Sequence, residues 1–139
     1  MGKDIKFSKL LGVSRQPGGS LMQISMGDHV QNHVGSMHAS AQFALAEIGS
    51  GDFLRQQFPA LADKAHAVVR RAEIKYSKQV TTDLFAHPYI EREDVGKFEK
   101  ILESKGQAIL PVHVKLKTET GELVTHAVYY WYIALVPDL

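Results

Sequence analysis

The chain has 139 residues, 45% hydrophobic and 22% charged, with a formal net charge of +1. That size fits one domain with a real core, and a near-neutral chain without a basic stripe and interleaved aromatics gives no reason to expect nucleic acid. The absence of cysteine excludes a disulfide frame, a thiolate nucleophile and a cysteine-based metal site.

Residues 1–19 read as a lead-in, and 20–139 as a single domain. Phe7, Leu10 and Leu11 can seat a short helix, stopped by Pro17-Gly18-Gly19. Met1 to Phe7 lacks the apolar run of a signal peptide, and no stretch reaches the roughly 20 apolar residues of a membrane span. A cytoplasmic protein with no membrane partner is the expectation. Leu21 to Met26 alternates well enough for a first strand. Ser36 suits the N-cap of a long helix running to about Phe58, with Pro59 beyond. Ala39, Ala41, Ala44, Ala46 and Gly49 keep that helix thin, so it can lie close against a sheet.

The second half is strand-rich. Ala67 to Lys78 and Thr81 to His87 are β-prone and separated by a short turn, which predicts a hairpin. The adjacent Arg70-Arg71 is expected to divide between the two faces of its strand. Glu91 to Ser104 reads as an amphipathic helix with Val95, Phe98, Ile101 and Leu102 inward, stopped by Gly106. Gln107 to Lys117 alternates strictly, with Ala108, Leu110, Val112, Val114 and Leu116 on one face. Thr118 to Glu122 offers a hairpin connection with Gly121 available for positive φ. Leu123 to Leu135 is a long aromatic strand whose rings suit core or dimer packing. One long helix, a short second helix and five mostly antiparallel strands predict an α+β fold, the sheet curled around the helix.

Glu47 is the conspicuous residue of the long helix. Its neighbours are small, apolar or weakly polar, and the next basic residue downstream is Arg55. A carboxylate taken out of water is costly unless paired or protonated, so it sits at a wet edge or it is used. Just upstream lies Asn32-His33-Val34-Gly35-Ser36-Met37-His38, rich in polar groups. His29 and His33 are four apart but lie between Gly27 and Gly35, where a helix is not expected; no metal site is predicted.

These residues resemble those of the hotdog-fold acyl-CoA thioesterases, most closely the phenylacetate-pathway type and a related, largely uncharacterised branch. The resemblance rests on Asn32-His33-Val34-Gly35, on His38-Ala39-Ser40, and on Leu45-Ala46-Glu47 with the acid nine residues after the histidine. Ile74 to Lys78 and Lys105 to Gly121 add similar strand ends. It covers roughly residues 20 to 135. This chain departs from the pattern at Ala39-Ser40, where the family usually has two glycines.

The resemblance implies a hydrolase acting on an acyl-CoA or related acyl thioester, without a cofactor. Glu47 would be the general base or nucleophile. The Ala39 N–H at the helix start would polarise the thioester carbonyl, where unpaired donors and the positive dipole end coincide. Asn32 would orient the carbonyl or water; it is equally plausible as a turn residue. His38 would touch substrate or brace the loop. Gly35 and Ser40 would border the substrate. Lys75, Lys78 and Lys105 are candidates, on their own placement near strand ends, to meet the phosphates of coenzyme A, and each alone reads more readily as an ordinary surface lysine. At ~100° and 1.5 Å per residue, His38 and Glu47 point to opposite sides of one helix, ~13 Å apart along it. A working site then needs two chains: a homodimer, or a tetramer of two such dimers. Two alternatives stand beside this expectation. One is a non-catalytic acyl-CoA-binding module of the same fold. The other is a hotdog hydratase or dehydratase, disfavoured because Val34 to Ser40 contains no proline.

Overall fold

The computed structural model describes residues 5–137. Residues 1–4 of the expected lead-in and residues 138–139 of the expected domain lie outside the described residues. The elements run α1 (Lys6–Leu11), β1 (Val13–Arg15), β2 (Met22–Ile24), a 3-10 turn at Asp28–Val30, α2 (Ala39–Gln57), a second turn at Pro59–Leu61, β3 (Ala65–Tyr76), β4 (Leu84–Tyr89), α3 (Arg92–Lys105), β5 (Gln107–Lys117) and β6 (Leu123–Leu135).

The strands form one antiparallel sheet in the order β1-β2-β4-β5-β6-β3. It has six strands rather than five: β1, too short to show a period, pairs with β2 through Val13 and Ile24. Alternation along β5 and β6 sends Leu110, Val112, Val114, Leu116, Tyr129 and Ile133 to the inner face, all nearly or fully buried. There α2 crosses the sheet with Leu45 and Ala46 fully buried. Each large side chain buried this way contributes about 1.5–3 kcal/mol. The approach is close: a Cβ placed on Gly49 would stand 2.7 Å from the Ala86 Cβ. α3 covers the other end of the sheet through Phe98 and Leu102, which pack with Leu54, Leu110, Val112 and Ile133. Ile101, expected inward, is exposed at 43% because the buried stripe of α3 is narrow.

Three further expectations are corrected. β3 and β4 are not a hairpin; β3 pairs with β6 along its whole length, while β4 lies between β2 and β5. The α2 N-cap is His38, not Ser36. The Met37 N–H donates to the Val80 carbonyl and the His38 N–H to the Val30 carbonyl, both at 2.7 Å, so the chain stays extended two residues longer. Nor are Arg70 and Arg71 divided between faces. A register shift between Val69 and Arg71 brings both guanidinium groups to the outer face, over Tyr132 at 3.6 Å and Tyr130 at 4.7 Å.

β3 is an edge strand. Its side away from β6 pairs with nothing among the described residues, although it is 12 residues long. A long open edge presents unpaired N–H and C=O groups and is a template for another strand.

Candidate active site

The start of α2 is built by its own loop. The Asn32 Oδ1 accepts from the Val34 and Ser36 N–H groups, each at 3.0 Å, and from the Ser36 hydroxyl at 3.3 Å. Gly35 holds the turn's positive φ of 79°, which an L side chain rarely adopts. Asn32 is therefore a turn residue whose oxygen is fully engaged, leaving its Nδ2 to serve as a donor. At the helix itself, the His38 Nδ1 accepts the Ser40 N–H at 3.0 Å. The Ala41 and Gln42 N–H groups donate to the His38 carbonyl. The Ala39 N–H is not used by this cap, and Ala39 is exposed.

Around this helix start lies a cleft of about 400 Å³ bordered by Asn32, Ser36, Ala39, Gln42, Tyr76 and Lys78. Three expected residues, Asn32, Ala39 and Lys78, thus come together. Two partners were not legible beforehand. Tyr76, at the end of β3, donates its hydroxyl to the Ala39 carbonyl at 3.1 Å. Gln79 donates to the Ser36 hydroxyl at 3.3 Å. Lys78 is half exposed and paired with Glu122 at 2.9 Å. Lys105 is not brought here. It ends α3 at the opposite end of β5, on the order of 35 Å away at ~3.3 Å per strand residue.

Glu47 also stands apart from the cleft. It is half-buried, and burial holds its carboxyl above the ordinary 4.5. Its side of α2 faces the aromatic stripe of β6. The Tyr129 hydroxyl donates to the Phe43 carbonyl at 2.7 Å, one turn before Glu47. Burial, then the nearby Glu47 and Tyr76, push the Tyr129 hydroxyl strongly toward its neutral form. The Ser50 hydroxyl donates to the Glu47 carbonyl at 2.7 Å and accepts the Trp131 Nε1–H at 2.9 Å. Backbone and rings around the acid are thereby pinned, while its carboxylate has no basic side chain paired with it among the described residues. Ser40 lies on the same side of α2, two turns nearer the start, and is exposed.

The fold has counterparts. A Pseudomonas aeruginosa protein of unknown function, described as a probable thioesterase, superposes with a TM-score of 0.77 at 22% identity, covering 95% of this chain and 89% of that one. A Bacillus halodurans protein solved with CoA gives 0.73 at 20%, covering 94% and 77%. The Escherichia coli PaaI protein, from the phenylacetic acid degradation operon, gives 0.68 at 13%, covering 97% and 87%. No curated protein matches the chain at a significant level. The fold is the hotdog fold, shared with proteins described as probable thioesterases. Over residues 13–133 the chain matches the family DUF4442, a domain of unknown function, and belongs to it.

Proposed function

We propose that this protein is an acyl-CoA thioesterase-like hydrolase whose site is shared between two chains. The observation that carries the reading is the half-buried Glu47, unpaired among the described residues, on the same helix as an Ala39 N–H that no described residue engages. A carboxylate deprived of water and of counter-ions is a stronger base than an exposed one. The Ala39 N–H and the dipole behind it supply what a thioester carbonyl needs as its oxygen becomes negative. The Asn32 Nδ2 would add a second donor, and Lys78 a cation for a phosphate of the coenzyme. His38 acts by holding the helix start rather than by chemistry. The CoA complex of the Bacillus halodurans protein supports this ligand class.

Within one chain the two halves cannot meet, since Ala39 and Glu47 are ~12 Å apart along the helix. The open edge of β3 supplies the remedy. The Tyr76–Ala39 bond makes Tyr76 level with the helix start. Twelve ångströms is ~3.6 strand residues, so Glu47 is level with about Ala72. If β3 pairs with the partner's β3 about a two-fold axis at Ile74, the partner's Tyr76 falls opposite Ala72. The partner's Ala39 N–H is then level with Glu47. A homodimer of this register completes the site, and tetramers are dimers of it. Thiol release from a panel of acyl-CoA esters tests the activity. Turnover on at least one ester is expected. Binding of CoA esters without turnover would leave a non-catalytic acyl-CoA-binding module instead.

A further inference from the structure

Glu47 faces more than rings. Taking its direction on α2 as zero, Gly51 lies at ~40°, Leu54 at ~−20° and Phe58 at ~20°, by 100° per residue. These three residues also line a cavity of about 460 Å³ that opens beside the C-terminal half of α2. Trp131 and Ile133 of β6 and Leu61 of the following turn are among its other apolar lining residues. The volume falls in the ~300–1,000 Å³ range of small-molecule pockets. Its polar borders lie at the rim: the Arg55 side chain is 36% exposed and held toward Asp52 at 3.5 Å, and Asp63 and His66 are exposed.

The route from Glu47 into this space passes Gly51. A Cβ there would stand 3.1 Å from the Cζ2 and Cη2 atoms of Trp131, so a side chain at this position forces the indole to give way. The indole cannot withdraw freely, because its Nε1–H is held by Ser50. Gly51 is thus the narrow point between the acid and the apolar chamber. From Gly51 to Phe58 the helix rises ~10 Å, a depth that takes on the order of eight carbons of extended chain.

We infer that this cavity is the acyl-chain chamber of the site, selecting an unbranched apolar acyl group of medium length, with Gly51 as its gate and Trp131 as its wall. The inference rests on the thioester reading of Glu47 and adds to it the class of acyl group. Thioester carbonyl at Glu47 and tail toward Phe58 lie along one line on one helix face. The apolar lining rewards each added methylene until the chamber is filled.

Trp131 is the chain's single tryptophan, so its emission reports the chamber directly. The experiment titrates Glu47→Gln protein with non-hydrolysable thioether analogues of butyryl-, octanoyl- and hexadecanoyl-CoA, with CoA alone as control. Affinity should rise by about fourfold per methylene between butyryl and octanoyl, then level off, with a Trp131 emission change that CoA alone does not produce. Gly51→Val should weaken octanoyl binding at least tenfold and leave butyryl binding within twofold. Leu54→Phe, which fills the chamber from within, should do the same if Gly51→Val fails to fold. Chain-length-independent affinity, or equal weakening of both analogues by a folded variant, overturns the inference. The two readings fail separately: thiol release with a flat acyl-length profile removes the chamber but keeps the hydrolase, whereas length-dependent binding without any turnover in the wild type removes the hydrolase but keeps the chamber.

Discussion

The Tyr76 hydroxyl donates to the Ala39 carbonyl at 3.1 Å, tying the end of the open-edge strand β3 to the first residue of α2. The bond links the surface best placed to meet a second chain with the N–H best placed to meet a carbonyl oxygen. Tyr76→Phe removes only that oxygen. Under the proposed function it should lower kcat roughly fivefold with KM little changed, the scale of one hydrogen bond of ~1 kcal/mol. A matching fall in kcat and rise in KM would mean that Tyr76 binds substrate instead of positioning the helix start.

Glu47→Gln keeps the shape of the side chain and removes the proposed base. Turnover should fall by ~10²–10⁴-fold while circular dichroism stays unchanged. Near-wild-type turnover would remove Glu47 from the chemistry.

The pH dependence follows from burial of the same group. A base must be ionised, so kcat should decline as pH falls through the raised Glu47 pKa, with its acid limb above the ordinary 4.5. Stability runs the other way. The folded state favours the protonated carboxyl, so that contribution is present at low pH and lost as pH rises through the folded value. Glu47→Gln should therefore melt higher than the wild type at neutral pH, and the gap should close below the ordinary 4.5. A gap that widens in acid would contradict the sign of the shift.

The proposed two-chain site has two independent checks. With no native cysteine present, Ile74→Cys should oxidise to a cross-linked dimer, because a residue on the two-fold axis faces its own copy. Val68→Cys should not cross-link in this register. In the second check, Glu47→Gln and Asn32→Ala chains are refolded together, after each is shown inactive alone. Random pairing makes half the dimers mixed with one intact site each, so about a quarter of wild-type activity should return. Mixed dimers without activity would refute the shared site, and a monomeric mass with full activity would refute the dimer.

His38 should prove structural. His38→Ala removes the acceptor of the Ser40 N–H and should cost about 1 kcal/mol of stability. His38→Asn, which can cap in the same way, should recover both stability and turnover. Recovery of stability without turnover would return His38 to the chemistry.

Where a segment's neighbours along the chain decide its form, the residues alone were sufficient. The period of two in Gln107 to Lys117 and the bounds of Leu123 to Leu135 match β5 and β6, and Gly106 ends α3 as expected. The small residues of α2 match its close approach to the sheet. The helical half-turn expected between His38 and Glu47 is not realised, because His38 is the extended N-cap and the helix begins at Ala39. Tertiary structure decided whatever depends on partners distant in sequence. β1 exists because β2 pairs with it, and β3 leaves β4 for β6 because a ladder along the full length of β3 outweighs a short local turn. The helix starts at Ala39 because Val30 and Val80 claim the backbone N–H groups of His38 and Met37. A single bulge sets Arg70 beside Arg71 on one face. The chamber beyond Glu47 belongs to the same class: Gly51 is an ordinary small residue until β6 brings Trp131 against it.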